Sequence, residues 1–137
     1  VVELTSDAFK ESNKSIQNSE ILILGVSYKP NVKDIQLSPA KYIIKKFQNL
    51  GANVHIYDPN FSSTEVFGIK VEDNLDDILS KMDAAVIVTG HDDFKKIEIS
   101  SFAKMKTPIL VDSRGIIEPQ SVKQHNIIFR GLGRGDF

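Results

Sequence analysis

Ile21-Leu22-Ile23-Leu24-Gly25 is the stretch on which the reading of the fold turns. Four consecutive apolar residues closed by a glycine are too short for a helix. They also lack the alternation of a strand with one wet face, so they describe a strand buried on both sides, as in a parallel sheet. Downstream, a loop over residues 26–37 leads to Ser38-Pro39, a helix-start pair. Serine satisfies free backbone N–H groups, and proline is tolerated where its missing N–H has no partner. Tyr42, Ile43, Phe47 and Leu50 form the expected buried stripe of that helix, and Gly51 supplies a left-handed stop. Residues 54–57 then give a second strand, ended by Asp58-Pro59.

The alternation continues to the end of the chain. Residues 74–81 predict a short helix, 84–88 a third buried strand, 100–106 a weaker helix and 109–111 a fourth strand. A helical turn over 119–124 and a fifth strand over 127–129 complete the pattern. Upstream, residues 1–16 read as a short amphipathic helix with Val1, Leu4, Ala8 and Phe9 on one face, followed by a polar linker to Ser19. Buried strands alternating with helices imply right-handed crossovers and a covered parallel sheet. The expected fold is therefore α/β: a Rossmann-like three-layer domain with a parallel sheet of about five strands, preceded by a short N-terminal helix. Such a sheet takes ligands beyond the carboxyl ends of its strands, where strand order reverses.

Composition narrows the function classes. The 137 residues are 41% hydrophobic and 26% charged, with a net charge of −1 and no cysteine. No basic face for nucleic acid is expected from this balance. No run approaches the ~20 apolar residues of a membrane span, and the N-terminus lacks a signal-peptide layout. Without cysteine there is no thiolate nucleophile or Cys-based zinc site, which fits a cytoplasmic setting. His55, His91 and His125 lie far apart without metal-ligand spacing, so no metal site is expected. The chain has no initiator Met and its first helix no N-cap, and it is read as continuing upstream.

The first strand–helix turn, residues 25–39, holds the residues best suited to a ligand. The helix start offers N–H groups to a phosphate, Lys29 adds a charge, and Tyr28 offers a flat ring for a base or sugar. The turn has neither G-x-G-x-x-G nor a P-loop, so neither a dinucleotide nor NTP hydrolysis is indicated. A plainer reading packs Tyr28 and leaves Lys29 solvated. Arg114, in Val111-Asp-Ser-Arg-Gly115, can hold a phosphate or carboxylate through its planar fork, or simply pair with Asp112. His91 is a ligand contact or a structural histidine. Asp58 sits where a ribose carboxylate would, or is a turn former. Lys95-Lys96 reads as solvated surface, and the glycine-rich tail from Gly131 as a backbone cradle or a frayed end. These residues contain no catalytic constellation, and by themselves they describe a binding module.

Leu24-Gly-Val-Ser-Tyr-Lys-Pro-Asn-Val-Lys-Asp34, Ser38-Pro-Ala40, Tyr57-Asp-Pro59, Val88-Thr-Gly-His-Asp-Asp-Phe94 and Val111-Asp-Ser-Arg114, taken in order, resemble the C-terminal UDP-binding domain of the UDP-glucose/GDP-mannose dehydrogenase family. The resemblance runs over about residues 20 to 131. It implies a longer enzyme with an N-terminal NAD-binding domain, a central helical dimerisation domain and this one. Such an enzyme oxidises the C6 alcohol of a UDP-sugar to a carboxylate in two NAD-dependent steps through a cysteine-linked intermediate. Residues 1–18 would then be the end of the central linker helix and 19–137 the UDP-binding domain.

On the same footing, Tyr28 and Lys29 would contact UDP and Arg114 the substrate, with Ser27, Gln36, Thr89 and His91 as further candidates. The nucleophile and the NAD site would lie upstream, leaving this chain inactive alone and without a cofactor of its own. The implied partners are a UDP-sugar, the upstream domains of the same polypeptide and a second copy in a homodimer, with no nucleic acid and no membrane. Thr89-Gly-His91 leans toward the branch acting on UDP-N-acetylhexosamines, of the UDP-ManNAc type, because UDP-glucose enzymes more often carry Trp at the third of these positions. Gln36 departs from the family's usual arginine, which leaves open a non-catalytic nucleotide-binding, regulatory or dimerisation module with a degenerate site.

Overall fold

The computed structural model describes residues 1–27, 29–31, 35, 38–62 and 64–131. Along the chain run α1 (Val2–Glu11), β1 (Glu20–Leu24), α2 (Ala40–Asn49), β2 (Asn53–Tyr57), a 3-10 turn (Pro59–Phe61), the short strands β3 (Glu65–Val66) and β4 (Ile69–Lys70), and α3 (Leu75–Leu79). They are followed by β5 (Ala84–Ile87), α4 (Asp92–Lys95), α5 (Ile99–Phe102), β6 (Ile109–Asp112), α6 (Pro119–Val122) and β7 (Ile128–Gly131).

Five of the strands form one sheet in the order β2-β1-β5-β6-β7, with every neighbouring pair parallel. The expected Rossmann-like architecture is therefore present, helix first. Period-two alternation explains why the first strand reads as unbroken apolar sequence. Ile21 and Ile23 join the cluster under α1 and α2, while Leu22 and Leu24 join the opposite cluster with Leu79, Phe94 and Phe102. Ala84 and Val86 against Ala85 and Ile87 divide β5 in the same way. The chain leaves β1 for β2 on one side and returns to β5 on the other, so strand order reverses between β1 and β5.

Helix α2 starts and stops as its sequence predicts. Ser38 Oγ accepts the Ala40 N–H at 3.1 Å, and Pro39 already has helical backbone angles. At the other end Gly51 takes φ +88°, and the Ala52 N–H returns to the Phe47 carbonyl at 3.1 Å. The buried stripe differs from the expected one. It consists of Ala40, Ile43, Ile44 and Phe47, whereas Tyr42 and Leu50 are 64% and 42% exposed. The spacing 40, 43, 44, 47 defines one helical face, and Tyr42 stands about 100° away from Ile43 around the axis.

Four further differences have local causes. Helix α1 ends at Glu11, because Asn13 adopts φ +58° and the Lys14 N–H turns back to the Phe9 carbonyl. The β3–β4 hairpin was not expected; its turn residues Phe67 and Gly68 both have positive φ, and Phe-Gly is a weak hairpin signal. The helix expected over 100–106 spans only Ile99–Phe102, and a short α4 follows β5 directly. The glycine-rich tail begins inside a strand, since Gly131 pairs with Asp112.

The N-terminal segment packs into the same core. Ala8 and Phe9 are buried in the α1–α2 cluster, and Arg130 on β7 pairs with Asp7 and Glu11 of α1. Behind α1, Lys14 is hydrogen bonded to the buried Asp83 carboxylate. Burial pushes that carboxyl up, but hydrogen bonds from Lys14, the Glu20 N–H and Thr107 outweigh it and hold Asp83 below its usual range. Among the described residues, no helix is long and apolar enough to cross a membrane.

Candidate functional site

The carboxyl ends of β1, β2, β5 and β6 open onto one side of the domain, and two buried aspartates organise the loops there. Asp58 closes β2 with no exposed surface. Its Oδ1 accepts the Asn60 N–H at 2.9 Å and caps the 3-10 turn, while its Oδ2 accepts the Val26 N–H at 2.9 Å. The same Oδ2 lies 3.0 Å from His91 Nε2. Asp112, equally buried, closes β6: its Oδ1 accepts the N–H groups of Arg114 and Gly115 and its Oδ2 that of Ile117, at 3.0, 2.9 and 2.7 Å. A buried carboxylate with several N–H donors is well satisfied, and it fixes the loop that supplies them.

The start of the first loop is held from the β5 side. Thr89 is buried and its hydroxyl donates to the Ser27 carbonyl at 2.9 Å. Gly25, at φ +93°, is the residue that allows this approach, because a Cβ there would lie 2.5 Å from Thr89 Cβ. Ser27 is also buried, its hydroxyl donating to the Lys29 carbonyl at 2.8 Å and lying 3.2 Å from His91 Nε2. His91 Nδ1 accepts the Asn31 N–H at 2.7 Å. Of the expected site residues, Ser27, Thr89 and His91 are thus gathered into one buried network beneath the loop that carries Lys29. Tyr28 and Gln36 lie outside the described residues.

Arg114 reaches the same region from β6. Its Nε donates to the Val88 carbonyl at 2.7 Å, and its guanidinium makes no ion pair with Asp112, whose carboxylate binds only backbone there. Arg114 is exposed and lines a cavity of about 260 Å³ together with Pro30, Thr89, Gly90, Lys95 and Ile116. Gly90 keeps this cavity's wall thin, since a Cβ on it would meet Ile116 at 3.0 Å and Arg114 at 3.5 Å. Lys95 brings a second cation, paired with Asp92 at 3.3 Å on the surface. Lys95 is exposed, as its sequence reading as solvated surface expects, and its place at this cavity follows from α4 starting directly after the end of β5. Tyr57 borders the region, and burial, with help from Asp93 and Asp58, pushes its phenol above the usual range.

Lys95 and Arg114 bring two cations to this cavity near the reversal of strand order, beside the loop that carries Lys29, an arrangement that suits an anionic ligand. It does not fit a dinucleotide held in the Rossmann manner. The first turn has one glycine whose open side is filled by Thr89, and the carboxylate at the ribose position has both oxygens occupied by Val26, Asn60 and His91.

Comparison with known proteins identifies the family. Residues 22–119 match the model of the UDP-glucose/GDP-mannose dehydrogenase family, UDP binding domain. The UDP-N-acetyl-D-mannosamine dehydrogenase of Pyrococcus horikoshii is 34% identical over 134 residues, which are 97% of this chain and 30% of that protein. The UDP-glucose 6-dehydrogenase of Rhizobium meliloti is 32% identical over 125 residues, 88% of this chain and 29% of that protein. The solved P. horikoshii UDP-D-ManNAc dehydrogenase superimposes with a TM-score of 0.86 at 31% identity, covering 99% of this chain and 30% of that one. An NDP-N-acetyl-D-galactosaminuronic acid dehydrogenase from Methanosarcina mazei shares the fold, with a TM-score of 0.88 at 24% identity over 97% of this chain and 28% of its own. The chain therefore spans less than a third of the length of these relatives. With its family model matched over most of its length and its motifs gathered at one sheet edge, the chain belongs to the UDP-glucose/GDP-mannose dehydrogenase family, as its UDP-binding domain.

Proposed function

We propose that the chain supplies the UDP-recognising part of an NAD-dependent UDP-sugar 6-dehydrogenase, one that oxidises the C6 alcohol of a UDP-N-acetylhexosamine of the UDP-ManNAc type to the uronate. The observation that carries this reading is the convergence of the Lys29 loop and Arg114 at the point where strand order reverses. In this reading Lys29 and Arg114 hold the anionic part of the ligand, and Tyr28 lies against the base or sugar. Lys95 adds to the field, while Ser27, Thr89 and His91 support the loop from below. Thr89-Gly90-His91 and the relatives named for UDP-N-acetyl-D-mannosamine favour the N-acetylhexosamine branch.

NAD, the nucleophile and the reacting part of the sugar belong to other segments of a longer cytoplasmic polypeptide, whose central helix ends at residues 1–18 and which pairs as a homodimer. The domain by itself binds and orients; it does not oxidise. Gln36, where the family usually has arginine, favours a second reading, a nucleotide-binding, regulatory or dimerisation module with a weakened site.

Calorimetric titration of UDP, with uridine as the uncharged control, tests the proposal. UDP should bind more tightly than uridine, and Lys29→Ala should weaken UDP by about 1–3 kcal/mol, the scale of a hydrogen bond to a charged group. Equal UDP affinity in wild type and variant removes Lys29 from the site.

A further inference from the structure

Buried beneath the ligand loop is a carboxylate–imidazole pair that touches no part of the cavity described above. His91 and Asp58 have 1% and 0% of their surface exposed. His91 Nδ1 accepts a hydrogen bond from the Asn31 N–H, so that nitrogen carries no proton. The ring proton of the neutral imidazole therefore sits on Nε2, where it donates to Asp58 Oδ2 at 3.0 Å, with Ser27 Oγ alongside at 3.2 Å. Asp58 in turn receives the Val26 N–H. The two residues thus bracket the loop, one end at Val26 and Ser27, the other at Asn31. Asn31 is held at φ +62°, a backbone region that non-glycine residues enter at a cost, and its side-chain oxygen accepts the Asp92 N–H at 3.0 Å. The imidazole is kept in place by the Phe94 ring, 5.3 Å away between centroids.

We propose that His91 and Asp58 are positioning residues: a buried clamp that holds the loop of Lys29 in its ligand-binding conformation and acts on affinity through Lys29 without touching the ligand. This inference rests on the proposed UDP site. A rigid loop binds more tightly because ordering it costs nothing at the moment of binding. The neutral imidazole suits the task because it offers one acceptor and one donor on opposite sides of a flat ring.

UDP affinity measured by calorimetry for wild type, His91→Phe, His91→Asn, Lys29→Ala and the double variant His91→Phe/Lys29→Ala tests the clamp, with circular dichroism to establish folding. His91→Phe keeps a ring against Phe94 but removes both nitrogens, and should lower affinity about tenfold. His91→Asn restores an acceptor near the Asn31 N–H and should recover part of that loss. In the Lys29→Ala background the His91→Phe effect should largely vanish, because the residue acts through Lys29. A folded His91→Phe with wild-type affinity overturns the inference, as does a loss that is fully additive with Lys29→Ala. Should His91→Phe not fold, His91→Asn decides: its shorter side chain gives up the bond to Asp58 Oδ2 and should bind UDP more weakly than wild type, with wild-type affinity overturning the clamp. If Lys29→Ala alone leaves UDP binding unchanged, the proposed site fails and the clamp fails with it. Loss on Lys29→Ala with none on His91→Phe removes the clamp only.

Discussion

Arg114 Nε donates to the Val88 carbonyl at 2.7 Å, which ties the loop after β6 to the end of β5 and fixes the guanidinium at the mouth of the cavity. Among the described residues its terminal nitrogens have no hydrogen-bond partner, so the fork is available to a ligand. Lysine at this position keeps the charge but has no Nε to anchor and no planar fork. Arg114→Lys should therefore weaken UDP-sugar binding by about 1–3 kcal/mol. An unchanged affinity by titration would mean that Arg114 only joins two strand ends.

Gly25 has a steric role independent of any ligand. At φ +93°, with a Cβ placed 2.5 Å from Thr89 Cβ, alanine meets both a strained backbone and an overlap with β5. Gly25→Ala should cost about 2–5 kcal/mol, combining the left-handed penalty with that of overpacking. Urea unfolding checks this, and a loss below about 1 kcal/mol would show that the two strand ends separate easily.

Asp83 gives the domain a definite acid response. In the folded chain hydrogen bonds hold its carboxyl below the ordinary aspartate value of 3.8, so the stability it adds is present above that value and is lost as pH falls through the lower, folded one. Asp83→Asn should therefore be less stable than wild type at neutral pH, and the gap should narrow below pH 3.8. Thermal unfolding across pH 2–7 reads both. A gap that stays constant with pH would show that Lys14 and the Asp83 charge contribute nothing to folding.

Gln36 is tested by reversion. Gln36→Arg should tighten UDP-sugar binding and make it more sensitive to salt, because the added attraction is Coulombic and partly screened. No change at low or high salt would mean that position 36 faces away from the ligand.

The sheet was legible because its strands are buried on both faces: Ile21-Leu22-Ile23-Leu24 and Ala84-Ala85-Val86-Ile87 leave a continuous apolar signature that loops cannot imitate. The helices were less so. On α2, Tyr42 and Leu50 are apolar enough to look like core, yet they fall off the face set by Ala40, Ile43, Ile44 and Phe47. The stop of α1 at Asn13 depends on an asparagine entering the left-handed region, which composition alone does not announce. At the candidate site, motif order marked loops that the fold brings to one edge of the sheet, but not the bonding within them. Thr89, Ser27 and His91 bond to one another or to backbone, and that depends on β1 and β5 being neighbours, a fact of topology rather than of local sequence. Lys95 is solvated as its sequence suggests, but a lysine pair says nothing about which cavity its helix borders.

Amide chemical-shift mapping of the chain during titration with UDP tests the central claim most directly, since it reports where the nucleotide sits. UDP should move the resonances of Thr89, Gly90, Lys95, Arg114 and Ile116, which line the cavity at the carboxyl ends of the strands, and that of Lys29, whose neighbour Pro30 lines it. Those of Glu20, Asp83 and Thr107 at the opposite edge should remain in place. Shifts confined to the Asp83 edge, or none at saturating UDP, would contradict a UDP site at the Lys29 loop and Arg114.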